Sequence, residues 1–156
     1  MHKIAVVRSI IVGFFCGILP GIGANIGSVT AYSAAKSLAS PDEKEGFGKG
    51  SETGIVAAES ANNATIGGSL IPLISLGIPG SVIDAILLGG LLIHGLQPGP
   101  LLFQQNPEMV YTIMGSMIVA NAFMFVFMVF AVRYLARLAS IPRSLLMPVI
   151  LVFCIV

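Results

Sequence analysis

MVYTIMGSMIVANAFMFVFMVFAV, residues 109–132, contains no charged side chain. As a helix, these residues rise ~36 Å at ~1.5 Å per residue, which is enough to cross a ~30 Å hydrocarbon core with some tilt. The whole chain has the same character, because 56% of its 156 residues are hydrophobic, 10% are charged and the mean hydropathy is +0.96. This composition differs from that of soluble domains and predicts an all-α integral membrane protein embedded in the lipid bilayer.

Ionisable and thiol side chains argue against several function classes. The eight Lys and Arg residues lie near segment ends rather than in one block, so we expect no nucleic-acid partner. Cys16 and Cys154 lie in separate apolar stretches and give neither a disulfide framework nor a metal-binding spacing. His2 and His94 are the only histidines, and neither belongs to a hydrolase motif. We therefore expect no enzyme activity and no organic cofactor.

Prolines, glycines and charges divide the chain into segments. The first apolar segment, residues 8–39, is interrupted at residues 19–25, LPGIGAN. A charged stretch, residues 40–53, reads as a loop and precedes a second apolar segment, residues 54–97. That segment is interrupted around residues 71–81, IPLISLGIPGS, and clusters of Pro and Gly do not sustain a helix. Paired interruptions at membrane depth are typical of binding sites in secondary transporters with inverted repeats, so the chain is predicted to be half of one.

Positive charges predict the membrane topology, since short cytoplasmic loops are enriched in Lys and Arg. They place the N-terminus, residues 40–53 and the end of the span at 109–132 on the cytoplasmic side. Residues 8–39 would then enter and leave on that side as a re-entrant hairpin or broken helix. Residues 54–97 would cross once as a discontinuous helix, although two full crossings in either interrupted segment are an alternative. The charges used are Lys3, Arg8, Lys36, Lys44, Lys49, Arg133, Arg137 and Arg143.

Each end of the chain contains a short apolar run that needs an interpretation of its own. A basic and apolar start, residues 3–19, could be read as a signal peptide, but a Pro/Gly turn and a second apolar stretch follow it. Residues 144–156 enter an apolar run that is too short to span a bilayer, and we expect them to be the start of a truncated transmembrane helix.

The interruptions predict a shared polar cavity, because freed backbone groups in hydrocarbon must bond to protein or water. Freed carbonyls can coordinate a small hard cation, and the helix that begins after the second interruption directs N–H groups toward an anion. Backbone near Gly77, Pro79 and Gly80 is the predicted position of Na⁺, with H⁺ as the alternative coupling cation. The predicted binding residues in or next to the two interruptions are Pro20, Gly21, Gly23, Asn25, Ser28, Ser75, Gly77, Pro79, Gly80 and Ser81.

Carboxylate and carboxamide side chains add to this predicted site. The motif ESANN, residues 59–63, places Glu59, Asn62 and Asn63 three and four positions apart, which puts them on one face of a helix. Intramembrane ionisable groups are commonly functional, but the alternative is hydrogen bonding between helices or at the interface. Asp84 follows the second interruption and is predicted to coordinate a cation or couple a proton; its alternative role is a favourable charge at a helix N-terminus.

Glycines repeat at a spacing of four residues in the first segment. Gly13, Gly17 and Gly21 form one such series, and Gly23 with Gly27 forms another. In membrane helices this spacing usually allows close packing against a neighbouring helix. We therefore interpret these glycines as packing residues.

Several blocks taken together resemble the large membrane subunit, TctA type, of the tripartite tricarboxylate transporters. The resemblance is collinear, covers nearly the whole chain and corresponds to part of the second half of that subunit. The blocks are LPGIGA at 19–24, FGKGS at 47–51, ESANNA at 59–64, PLISLGIPG at 72–80 and GLQPGP at 95–100.

The resemblance implies a permease component of the bacterial inner membrane with several crossings. It implies cation-coupled uptake of tricarboxylates or other carboxylates, which a periplasmic binding protein delivers and which a small membrane subunit helps to transport. The alternatives are a non-transporting membrane assembly protein, in which the small and polar residues serve packing only, and an inactive truncated fragment.

Overall fold

The computed structural model of the chain describes residues 2–138, 147–148 and 150–153, and these residues contain no strand. Residues 147–148 and 150–153 are helical, and the remaining helices have defined bounds. These are α1 (His2–Ile18), α2 (Gly23–Leu38), α3 (Pro41–Lys44), α4 (Glu52–Leu76), α5 (Val82–Ile93), α6 (Pro100–Gln105) and α7 (Pro107–Leu138). The all-α class predicted from composition is confirmed.

The chain divides into two units, of which the first, Met1–Val110, is built around α4. Helix α4 packs against α1 and α2, which also contact each other. The contact between α1 and α4 is close because small residues face each other. A Cβ atom at Gly13 would overlap the backbone of Ala61, and one at Gly17 would overlap the carbonyl of Thr65. The packing interpretation is therefore confirmed for these two glycines, whereas Gly21 has open space around its Cβ position.

Thr65 connects two of these helices through a buried hydrogen bond. Its side chain is 2% exposed, and its hydroxyl, which carries one proton, lies within hydrogen-bonding distance of two carbonyl oxygens, that of Gly13 in α1 at 3.0 Å and that of Ala61 in its own helix at 2.8 Å. Gly27 of α2 has no side chain where the hydroxyl lies, so α1, α2 and α4 come together here.

Thr65→Val should lower the free energy of unfolding by about 1 kcal/mol, because valine keeps the volume but cannot donate to Gly13. Thermal unfolding in detergent would measure this as a loss of a few degrees, with Thr30→Val at an exposed position of α2 as the matched control. Equal melting temperatures of the two variants would contradict the stabilising role of this bond.

A short helix forms within the stretch predicted as a loop, residues 40–53. Ser40 and Glu43 make a capping box around α3, with the Ser40 amide 3.3 Å from the Glu43 carboxylate, and Pro41 occupies the first helical turn. Phe47 folds back under the loop and makes an edge contact with Tyr32, with ring centroids 5.3 Å apart. This contact fixes the loop against α2 and the start of α4.

Both predicted interruptions are places where the structure ends one helix and starts another. Helix α1 ends at Ile18 and α2 begins at Gly23. Helix α4 continues through Pro72 to Leu76, so the unwinding expected from residue 71 is wrong at its start. The helix ends instead at Gly77, where φ is +71° and the amide N–H donates back to the Leu73 carbonyl. Proline removes one N–H from the helix but does not end it, and α4 ends at the left-handed glycine.

The second unit, Tyr111–Val156, consists in its described part mainly of α7. Within the described residues, Pro107–Arg137 is the one helix that is long and apolar enough to cross a membrane, and none of its apolar window is buried. The predicted span at 109–132 therefore belongs to a longer helix. The predicted helix start at 144–156 lies largely outside the described residues, as does Arg143. The re-entrant and inverted-repeat topology stays a prediction.

Candidate functional site

The two interruptions contact each other through their backbones. The amide N–H of Gly21, between α1 and α2, donates a hydrogen bond to the carbonyl oxygen of Gly80, between α4 and α5, at 3.2 Å. Gly21 has a φ of +79°, which a side chain would disfavour, and its N–H bonds Gly80 rather than a carbonyl of α1. The structure thus brings together two residues that are 59 positions apart and that the sequence assigned to one site.

A cleft of about 750 Å³ lies beside this hydrogen bond. Its walls come from the first turn of α2, one face of α4, the second interruption and the first turn of α5. The helical starts contribute the positive ends of two helix dipoles, and α2 has no side-chain cap on its first amides. Eight of the predicted site residues line the cleft, namely Gly21, Gly23, Asn25, Asn62, Pro79, Gly80, Ser81 and Asp84.

Asp84 is the charged side chain of this cleft. It is 5% exposed, and its carboxylate accepts hydrogen bonds from the hydroxyls of Ser81 at 2.8 Å and Ser69 at 3.2 Å. The Ser81 hydroxyl in turn accepts from the Asp84 amide at 3.2 Å, as an N-cap residue does. Within the described residues, no Lys, Arg or His side chain pairs with this carboxylate. Hydroxyl hydrogen bonds compensate part of its burial but not its charge.

The other predicted residues lie away from the cleft, and most use their polar groups locally. The hydroxyls of Ser28 and Ser75 donate to carbonyls one turn earlier in their own helices. Gly77 ends α4 beside the carbonyl of Pro98, which would lie 3.1 Å from a Cβ atom at that position. Pro20 is exposed and is not among the residues that line the cleft.

The face predicted for ESANN is divided by the packing of α4. Asn62 lines the cleft, whereas Glu59 and Asn63 are exposed, and the Asn63 amide donates to the Glu59 carbonyl at 2.9 Å. A helix turns about 100° per residue, so adjacent asparagines point in different directions. Which of them meets the cleft depends on the small residues that pack α4 against α1, and spacing within α4 cannot specify this.

The sequence patterns did not predict two polar residues that belong to the site. Thr65 and Ser69 both line the cleft, and Ser69 contacts the Asp84 carboxylate. A helical spacing of seven residues from Asn62 to Ser69 could have identified Ser69 as part of the same face. Hydroxyl side chains are common in membrane helices as packing residues, so this spacing alone would have been a weak signal.

A family model described as the Tripartite tricarboxylate transporter TctA family matches residues 1–156, the full chain. The chain belongs to this family. The resemblance of the Gly/Pro and ESANN blocks to TctA is therefore confirmed, and TctA is a family of transporter components rather than of enzymes. The apolar helix of the second unit agrees with the membrane location of TctA subunits.

Two relatives from Agrobacterium vitis are similar along most of this TctA chain. The uncharacterized 52.8 kDa protein in the TAR-I ttuC' 3'region is 35% identical over 148 residues, which are 95% of this chain and 29% of the relative. The uncharacterized protein in the TAR-II ttuC' 3'region is 34% identical over 142 residues, 90% of this chain and 57% of the relative. The chain thus spans less than two thirds of either relative. No solved structure matches it.

Proposed function

We propose that this TctA chain forms part of the permease of a tripartite secondary transporter in the bacterial inner membrane. The permease takes up tricarboxylates or other carboxylates, coupled to Na⁺ or H⁺, and crosses the membrane several times. A periplasmic binding protein delivers the substrate and a small membrane subunit completes the complex. Beyond family membership, the observation that carries this proposal is the Gly21–Gly80 hydrogen bond between two helix interruptions beside a polar cleft.

The cleft has the groups that a carboxylate substrate needs. The first turns of α2 and α5 supply backbone N–H groups at positive dipole ends, and Asn25 and Asn62 supply amide donors. No Lys or Arg is among the residues that line the cleft, so a substrate with several negative charges requires another source of positive charge. A co-transported cation meets this requirement, and Asp84 provides a negative group to hold it.

Asn62→Ala should lower carboxylate uptake by about tenfold or more, because losing one hydrogen bond to a charged ligand costs about 1.5 kcal/mol or more. Asn63→Ala should stay within about twofold of the unmodified protein, since the Asn63 side chain bonds its own helix. The measurement is uptake of radiolabelled citrate and a panel of dicarboxylates by cells that express the gene carrying this chain with its binding protein and small subunit.

Glu59→Gln serves as a second comparison, since Glu59 belongs to the predicted site but lies exposed on α4. All variants must reach the membrane in equal amounts, as judged by immunoblotting. Absence of uptake by the unmodified complex would contradict the transport proposal and favour a non-transporting assembly protein. Equal uptake by Asn62→Ala and Asn63→Ala would exclude the cleft as the place where substrate binds.

A further inference from the structure

Oxygen atoms from three helices and one interruption converge around Gly80. A Cβ atom at Gly80 would lie 3.4 Å from the Asp84 carboxylate and 3.4 Å from the Gly17 carbonyl oxygen, with the Ser69 Cβ at 3.1 Å. The Ser69 and Ser81 hydroxyls already contact the two oxygens of that carboxylate. Because glycine has no side chain, this space stays free between α1, α4 and α5.

The Gly17 carbonyl has lost the donors that a helix would give it. In a continued α1, the amide of residue 21 would bond this oxygen, and a tighter turn would use the amide of residue 20. Pro20 has no N–H, and the Gly21 N–H donates to Gly80 instead. Within the described residues, neither amide therefore bonds this carbonyl at the negative end of the α1 dipole, and its oxygen lies as close to a Cβ atom at Gly80 as the Asp84 carboxylate does, at 3.4 Å.

This arrangement favours a cation over an anion. The Asp84 carboxylate and the Ser69 and Ser81 hydroxyls lie in the wall of the cleft, the Gly17 carbonyl oxygen lies beside Gly80, and no cationic side chain of the described residues pairs with them. Isolated buried charge is costly, and such groups are expected to be paired or to bind an ion. The donors are all oxygens, which are the ligands that hard cations prefer.

We propose that Asp84, the Ser69 and Ser81 hydroxyls and the Gly17 carbonyl form a Na⁺ site. This assignment keeps the cation beside Gly80, one of the three predicted positions, and not beside Gly77, which caps α4 and is not among the residues that line the cleft. The coupling role of the ion rests on the proposed function, but its binding does not. The bound ion would neutralise Asp84 and leave the amide donors of the cleft for the carboxylate.

Na⁺ should raise the melting temperature of the purified complete protein, since an ion that binds the folded state stabilises it by mass action. We would titrate NaCl against choline chloride at constant ionic strength and follow unfolding by circular dichroism, with KCl as a size control. Asp84→Asn, which keeps the shape of the side chain, should raise the Na⁺ concentration for half-maximal stabilisation by about tenfold or more. Asp42→Asn, in the exposed α3, is the matched control and should respond like the unmodified protein.

Direct binding of ²²Na⁺ by the same preparations provides the second measurement. Ser69→Ala should bind ²²Na⁺ more weakly, and Ser37→Ala, an exposed hydroxyl that bonds its own helix, should not. If Asp84→Asn fails to fold, this serine pair decides the result. The proposal is overturned if the unmodified protein gains no stability from Na⁺, if acid alone reproduces the effect, or if Asp84→Asn or Ser69→Ala binds the ion normally.

Binding and uptake separate the two proposals. Na⁺ binding that depends on Asp84, in a protein that transports no carboxylate, would leave the ion site intact and contradict the transport function. Na⁺-dependent uptake that survives in Asp84→Asn would support the transport function and contradict this ion site.

Discussion

A methyl group at Gly68 should prevent α1 from packing against α4, whereas the same change at Gly67 should leave the protein folded. A Cβ atom at Gly68 would overlap the carbonyl oxygen of Phe14 and would lie 3.2 Å from the Cα of Gly17. Both obstacles are backbone atoms, so no side-chain rotation relieves the overlap and the helices must separate. Overpacking of this kind costs about 3 kcal/mol or more of folding free energy. We therefore expect most of the Gly68→Ala protein to be misfolded or aggregated.

Gly67 supplies the matched control because it is the preceding residue of α4 and has open space around its Cβ position. Alanine there should be neutral or stabilise the helix by up to about 1 kcal/mol. Size-exclusion profiles of fluorescent fusions in detergent, with melting temperatures of the soluble fraction, would measure both variants. A monodisperse Gly68→Ala protein with an unchanged melting temperature would contradict the close contact of α1 and α4.

Gly21→Pro should abolish transport, because it removes the N–H that bonds Gly80 and cannot adopt the φ of +79° found at this position. A combined cost of about 3 kcal/mol at the cleft corresponds to a reduction of uptake by about a hundredfold. The readout is initial uptake of radiolabelled carboxylate, normalised to the amount of protein in the membrane.

Gly21→Ala separates the hydrogen bond from the backbone strain. Alanine keeps the N–H, meets open space and bears only the cost of a left-handed conformation, about 1–2 kcal/mol. We therefore expect partial uptake from Gly21→Ala and almost none from Gly21→Pro. Similar uptake by the two variants at equal abundance would mean that the bond between the interruptions is dispensable.

Local residues were sufficient to predict that two interruptions exist, although not all of their bounds. Proline and glycine act on the backbone of their own neighbourhood, so the interruptions at 19–25 and 71–81 could be read from the sequence. The predicted start of the second interruption was too early, because Pro72 is tolerated inside α4. Helix α4 ends at Gly77 instead. The capping box at Ser40 and Glu43 was visible in the sequence, but the density of charges favoured a loop.

Tertiary packing determined what the sequence could not predict. The spacing of Glu59, Asn62 and Asn63 fixes their angles around α4, but the helix can be rotated freely until its packed face is known. Ala61 and Gly68 pack against α1 and so determine that face. Of the three ESANN side chains, Asn62 is then the one that lines the cleft. Likewise, the free Gly17 carbonyl follows from a hydrogen bond between distant residues, and no local pattern contains it.

The connection between the interruptions consists of two main-chain atoms, and this affects how the chain can diverge during evolution. Because every residue type except proline carries the Gly21 N–H and all carry the Gly80 carbonyl, most point mutations leave both partners in place. Substitutions at these positions therefore act through conformational freedom at Gly21 and through the space beside the carboxylate at Gly80 rather than through side-chain chemistry. A substitution of a cleft-lining side chain can then change which groups the cleft presents to a ligand and leave the backbone link between the two interruptions in place.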